Sequence, residues 1–195
     1  MKVMTLIGTR PEAVKMAPVV KALQGHPDVQ SMVCSTGQHR QMLDQVMRIF
    51  DLQADVDLNV MQPNQQLAHS LPRILTMVDE VLAQHQPDWV LVQGDTTTVM
   101  AASLAAFYRN VKIAHVEAGL RTYDIRSPFP EEANRRIADA LADLYFAPTD
   151  TTRDNLLREG VKPERIVVTG NSVIDALLLI RDRVRGRSLE HLTGP

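Results

Sequence analysis

The sequence predicts an α/β domain built on a doubly wound parallel sheet, and three observations carry that expectation. Short apolar runs alternate with longer amphipathic stretches along nearly all of the 195 residues. The runs are almost continuously apolar instead of alternating, which suits strands covered by helices on both faces. The length gives room for one sizeable domain, and 45% apolar against 23% charged residues supplies its core.

The elements follow in order. Lys2–Ile7 reads as a buried strand, and the short apolar N-terminus lacks the small-residue cleavage pattern of a signal peptide. After Gly8 and Thr9, Pro11 suits a first helical position, and a helix over Pro11–Gln24 gathers Val14, Ala17, Val20 and Leu23 on one side. Val29–Ser35 is the next strand. Gln38–Phe50 is the next helix, with Met42, Val46 and Ile49 as its apolar stripe. Val56–Val60 forms a short strand, and Gln65–His85 a long helix in spite of Pro72 near its start. Trp89–Val92 is the clearest strand, bounded by Pro87 and Gly94. The alanine-rich helix Thr96–Arg109 packs closely on the sheet, and Val111–Val116 is a further strand. A loop with Gly119, Pro128 and Pro130 leads into a helix over Pro130–Leu144 and a short strand at Tyr145–Ala147. Helices over Thr149–Glu159 and Asn171–Arg185 flank a strand at Arg165–Thr169.

Composition excludes several classes. With 21 basic and 23 acidic residues the net charge is -2, so no excess of basic residues points to a nucleic-acid partner. The single Cys34 leaves no intramolecular disulfide and no cysteine-rich zinc module, and fits a reducing, cytoplasmic compartment. The longest nearly apolar stretch, Val99–Tyr108, is about half a membrane span. Neither the dinucleotide nor the P-loop glycine pattern occurs. His115 and Glu117 form an H-x-E, but the Cys-x-x-Cys of zinc deaminases is missing, so no metal is expected.

In a parallel sheet ligands bind at the carboxyl ends of the strands. The residues just beyond those ends are Thr9, Arg10, Glu12 and Lys15, then Gln38, His39 and Arg40, then Asp95 to Thr98, then Glu117 and Arg121, with Glu131, Glu132, Asn134 and Arg135 further on. Arg10 and Lys15 flank a helix N-terminus that favours an anion, for which phosphate is the natural guest. Plainer readings stand beside these: Asp95 as an N-cap, Glu131 and Glu132 as first-turn acids, Arg10 and Lys15 as solvated surface charges. The residues alone suggest acid/base chemistry on a phosphorylated or nucleotide-linked substrate.

The stretches GTRPEAVKMAPVV, TGQHRQMLDQV, QGDTTTVMAASLAAFY, HVEAGLRTYD, SPFPEEANRR and TGNSVIDALL resemble, in order and spacing, the non-hydrolysing UDP-N-acetylglucosamine 2-epimerases. The resemblance runs from Lys2 to about Leu178. It implies a GT-B architecture of two Rossmann-like domains, of which this chain is the N-terminal one. Residues 1–169 would form that domain, and 170–195 a crossover helix and the start of a connector to a second domain largely absent from this chain. The implied reaction interconverts UDP-N-acetylglucosamine and UDP-N-acetylmannosamine by elimination and re-addition of UDP, without a cofactor, to supply cell-surface polysaccharide. The same resemblance places Asp95, Glu117 and Glu131 in acid/base roles and Arg10 and Lys15 on the nucleotide phosphates. It also places Gln38, Gln41 and Glu131 against a second, activating substrate molecule, although Asn64 stands where strongly regulated members have arginine. A homodimer formed through this domain is implied, with Met42, Met47, Leu67 and Leu75 as a candidate apolar patch. Two alternatives remain: a GT-B glycosyltransferase domain, and a non-catalytic nucleotide-sugar-binding or dimerisation module.

Overall fold

A computed structural model describes residues 1–37, 40–60 and 67–185; the side chains of Arg40 and Gln41 also lie outside the described set. Among the described residues seven strands form one parallel sheet: β1 (Lys2–Ile7), β2 (Gln30–Ser35), β3 (Val56–Asp57), β4 (Trp89–Gln93), β5 (Lys112–Val116), β6 (Leu144–Ala147) and β7 (Ile166–Val168). Their order is β3-β2-β1-β4-β5-β6-β7. Direction of winding reverses between β1 and β4, which are paired in register from Val3 opposite Trp89. That reversal opens the crevice where doubly wound folds hold ligands.

The helices are α1 (Arg10–Gln24), α2 (Arg40–Ile49), α3 (Leu67–His85), α4 (Thr97–Tyr108), α5 (Glu131–Leu141), α6 (Asp150–Arg158) and α7 (Val173–Val184). They divide between the two faces. One core layer joins the sheet to α1, α2 and α7 through Ala13, Met16, Val20, Leu43, Met47, Phe50 and Ala176. The other joins it to α3, α4, α5 and α6 through Ile74, Val78, Ala101, Ala105, Ala138 and Leu156. The central strands, buried on both faces, explain the nearly continuous apolar runs of the sequence. The alanines of α4 let it approach closely, and its inward residues are almost wholly buried.

The expected elements are present among the described residues, several with ends shifted by a few positions; Gln38, His39, Asn64 and Gln65 lie outside the described residues. Arg165 falls in a short 3-10 turn, Pro163–Arg165, and not in the strand. The stripe expected on α2 is corrected: Met42 and Ile49 are 46% and 51% exposed, while Leu43, Val46, Met47 and Phe50 are buried. Both sets obey helical spacing and share Val46, so periodicity alone could not choose between them; packing against α1 does. Thr36 and Gly37 lead out of β2 toward Gln38, which lies outside the described residues. At the other edge β7 leaves Val167 and Val168 exposed. α7 returns to the first face, where Ala176 is buried, Ile180 packs beside it, and the Arg183 guanidinium binds the Asp51 carboxylate and the Ile49 carbonyl. Its outer face shows Ile174 and Leu177 to solvent.

Candidate active site

The ends of β1, β4 and β5 lie side by side, so the turns that follow them build one site. After β1 the chain passes through Gly8, where an added Cβ would come within 2.3 Å of Thr98 Oγ1 and 2.7 Å of Thr36 Oγ1. Only glycine lets this turn sit so close to the start of α4. Arg10 opens α1, is exposed, and forms no ion pair among the described residues. Glu12, two positions on, is buried instead. Its Oε2 accepts the backbone N–H groups of Gly8 and Thr9, and its Oε1 accepts the Thr96 hydroxyl at 2.6 Å. Burial raises its pKa, and these hydrogen bonds oppose the rise only in part.

After β4, Gly94 turns through φ 81° and presents Asp95. Asp95 is not the cap of α4: Thr96 is, accepting the Val99 N–H at 3.3 Å, so the plain capping reading falls away. The Asp95 carboxylate instead lies 3.2 Å from Arg135 Nη1, and its carbonyl accepts Asn134 Nδ2 at 2.9 Å. Asn134 and Arg135 come from the first turn of α5 and the one after it. Burial raises the pKa of Asp95; the Arg135 charge works against this, and the charges of Glu117 and Glu131 reinforce it. Glu131 itself stands half-buried at the first position of α5.

Glu117 follows β5 at φ 66°, a left-handed conformation unusual for a side chain of this length. Its N–H is engaged by the Phe146 carbonyl at 3.0 Å. The carboxylate is gripped from three elements: Lys15 Nζ of α1 at 2.6 Å, Gln93 Nε2 from the end of β4, and Asn171 Nδ2 ahead of α7 at 3.0 Å. The uncommon backbone state and the three donors together fix where this carboxylate sits.

Beneath these groups runs a buried chain of charges. His115, wholly buried, places Nδ1 2.7 Å from Asp139 Oδ1 and Nε2 2.7 Å from the Gly94 carbonyl. Both neighbours are acceptors, so the doubly protonated ring satisfies both. Burial opposes that charge, but Asp139 and the Gly94 carbonyl outweigh it and raise the pKa. Asp139 also accepts Arg121 Nη1 at 2.7 Å, and Arg121 forks onto Glu159. Glu132 is buried and accepts the N–H groups of Thr122 and Tyr123 and Arg135 Nε, which ties the loop after β5 to α5.

Lys15, Asp95, Glu117 and Glu131 are thus brought to one place, with Arg10 at its exposed margin. Gln38 lies outside the described residues, and so does the side chain of Gln41. Gln93, Asn171 and Asp139 escaped the sequence reading. Gln93 is the one polar residue closing the apolar strand WVLVQ, a signal that was available; Asp139 differs in nothing visible from a surface helix acid. Met47 belongs to the core, so of the patch suggested for dimerisation only Met42 and Leu67 are substantially exposed. Among the described residues no cluster of three or more acidic, histidine or cysteine side chains could hold a metal.

The family model for UDP-N-acetylglucosamine 2-epimerase matches residues 21–193. A UDP-N-acetylglucosamine 2-epimerase of Salmonella typhimurium is 58% identical over 184 residues, covering 94% of this chain and 49% of that protein. A crystal structure of the UDP-GlcNAc 2-epimerase from Neisseria meningitidis bound to UDP-GlcNAc superposes with a TM-score of 0.95 at 50% identity, covering 98% of this chain and 52% of the other. The Methanocaldococcus jannaschii enzyme in complex with UDP-GlcNAc and UDP gives 0.90 at 34% identity, covering 96% and 51%. The chain therefore spans about half the length of the curated relatives it matches.

Proposed function

The chain belongs to the UDP-N-acetylglucosamine 2-epimerase family, and from that premise we propose that its strand-end cluster is the N-terminal half of a site interconverting UDP-N-acetylglucosamine and UDP-N-acetylmannosamine. The observation that carries the reading is the convergence of Asp95, Glu117 and Lys15 at the crevice, with the charge of Glu131 acting on Asp95. The C2–H of an N-acetylhexosamine has no adjacent carbonyl to acidify it. Elimination avoids the difficulty: a base takes the C2 proton as UDP leaves C1, giving 2-acetamidoglucal. UDP then adds back as C2 is protonated from the opposite face. No net redox change occurs, so the route needs no redox cofactor.

Such chemistry needs carboxyl groups held near C2 to move its proton. Asp95, raised by burial and by neighbouring carboxylates, is suited to carry a proton; the Glu117 carboxylate is held in position beside it by Lys15, Gln93 and Asn171. Arg10, exposed at the N-terminus of α1, is placed to meet a diphosphate. In this reading residues 1–169 form the first domain, 170–195 lead to a second domain, and the two enclose the nucleotide. Gln38 and Gln41 would contact a second, activating substrate molecule. The enzyme would be a cytoplasmic homodimer: the lone buried thiol of Cys34 suits a reducing compartment, and Met42 and Leu67 offer exposed apolar surface.

The test is an NMR time course in D2O on the full-length protein with UDP-N-acetylglucosamine. We expect loss of the C2 proton signal and growth of the manno epimer. Asp95→Asn, Glu117→Gln and Glu131→Gln should each lower kcat by about 10²-fold or more while changing KM far less. Near wild-type turnover in all three would overturn the assignment.

A further inference from the structure

Glu12 has no salt bridge among the described residues, yet it is 2% exposed and fully engaged. One oxygen holds the turn after β1 through two backbone N–H groups, and the other holds the hydroxyl of Thr96 after β4. Each end of this bridge adjoins a residue of the site. Thr96 is bonded to Asp95, and Glu12 precedes Lys15 by one helical turn on α1, while Lys15 reaches Glu117. The bridge also changes what the start of α1 can bind. The Gly8 and Thr9 N–H groups, which would otherwise face an anion, already serve an internal carboxylate.

We propose that Glu12 is a positioning residue: its carboxylate locks the β1–α1 turn to the β4–α4 turn and so sets Asp95 in register with Lys15 and Glu117. Glu12 also fills the anion position at the N-terminus of α1, leaving a substrate phosphate to the Arg10 side chain and not to the Gly8 and Thr9 amides. The proposal rests on the epimerase reading above. A displacement of about 1 Å between reacting groups costs on the order of 10²-fold in rate, so loss of the bridge acts on turnover more than on binding.

The experiment uses full-length protein and C2-proton exchange from UDP-N-acetylglucosamine in D2O, with UDP affinity measured in parallel. Thr96→Ala removes the hydroxyl end of the bridge and leaves Glu12 in place; Thr96→Ser restores it. We expect kcat to fall by about 10²-fold in Thr96→Ala, with KM and UDP affinity within about threefold of wild type, and Thr96→Ser to recover most of the rate. Glu12→Gln keeps the shape, and its amide can donate to Thr96 while its oxygen accepts from the turn, so it should retain more activity than Glu12→Ala. An active wild type with an unchanged kcat in Thr96→Ala overturns this proposal alone, as does a loss that Thr96→Ser fails to recover. A wild type that exchanges no C2 proton overturns the epimerase reading and this proposal with it.

Discussion

Lys15 Nζ lies 2.6 Å from Glu117 Oε2, joining α1 to the turn after β5 across 102 positions of sequence. The pair is only partly open to solvent, with side-chain exposures of 25% and 13%. In this structure Lys15 is paired with a carboxylate, whereas Arg10 is exposed at the start of the same helix. This separates two residues that look alike in the sequence. In the full-length protein Lys15→Met should lower kcat by about 10²-fold with little change in UDP affinity, since it removes the cation that orients Glu117. Arg10→Ala should weaken UDP binding by about tenfold or more and leave kcat nearly intact, as expected for one lost charge-assisted hydrogen bond. Isothermal titration with UDP and steady-state kinetics on both variants distinguish the roles. Loss of UDP affinity in Lys15→Met with unchanged kcat would move Lys15 to the phosphates.

The proton affinity of Asp95 should respond to its neighbours with opposite signs. Burial raises its pKa, Arg135 opposes the rise, and Glu117 and Glu131 add to it. Arg135→Gln removes the opposing charge, so the pKa of Asp95 should move up. Glu131→Gln removes a like charge, so it should move down. Carbon-13 NMR titration of the labelled Asp95 carboxyl reads both directly and does not require activity. Shifts of the same sign in the two variants would show that Asp95 does not sense these charges as described.

Much of this arrangement was legible in the sequence because a parallel sheet writes itself plainly. Its central strands are mostly apolar, and the polar residues just past them fall at the ligand-binding edge by topology. Asp95, Glu117, Lys15 and Glu131 could be found that way. The partners that set their properties could not. Asp139 reaches His115 and Gly119 from within α5, and Asn171 reaches Glu117 from beyond β7. Such contacts depend on how helices lie on the sheet, which short-range patterns do not encode. The α2 stripe failed for the same reason, since two faces of that helix satisfy one period and only tertiary packing selects Leu43 and Phe50 over Met42 and Ile49.

The His115–Asp139 pair gives stability a defined pH window. The pKa of His115 is raised in the folded protein, so its contribution is full below the unfolded value of about 6.5 and is lost as pH rises through the folded value. Burial works against ionisation of Asp139, but His115 and Arg121 outweigh it and lower its pKa. Its contribution is full above about 3.9 and is lost as pH falls through the lowered value. The pair therefore contributes most between roughly pH 4 and 6.5. His115→Gln should destabilise by about 3 kcal/mol near pH 6, because it leaves a buried carboxylate short of a partner. The deficit should shrink as the pH is raised above neutrality. Chemical denaturation at several pH values measures both; a deficit that grows with pH would mean His115 is buried neutral.

Two glycines with nearly equal backbone angles should respond very differently to the same substitution. Gly119 has φ 85° and Gly160 φ 86°, so alanine at either adopts a left-handed state at a cost of about 1 kcal/mol. At Gly160 nothing lies within 4 Å of the added Cβ, and the cost ends there. At Gly119 the Cβ would sit 2.3 Å from the Thr152 carbonyl oxygen and 2.9 Å from Leu156 Cγ. Neither the chain nor α6 can yield easily, because the Gly119 N–H is held by Asp139 and its carbonyl by Asn155 Nδ2 at 3.0 Å. The overlap adds about 1–3 kcal/mol of overpacking. Gly119→Ala should therefore lower Tm several degrees more than Gly160→Ala, and it should also loosen the Asp139 contacts beneath Asp95 and Glu117. Equal Tm losses in the two variants would mean that the close approach of the β5 turn to α6 is relieved at little cost.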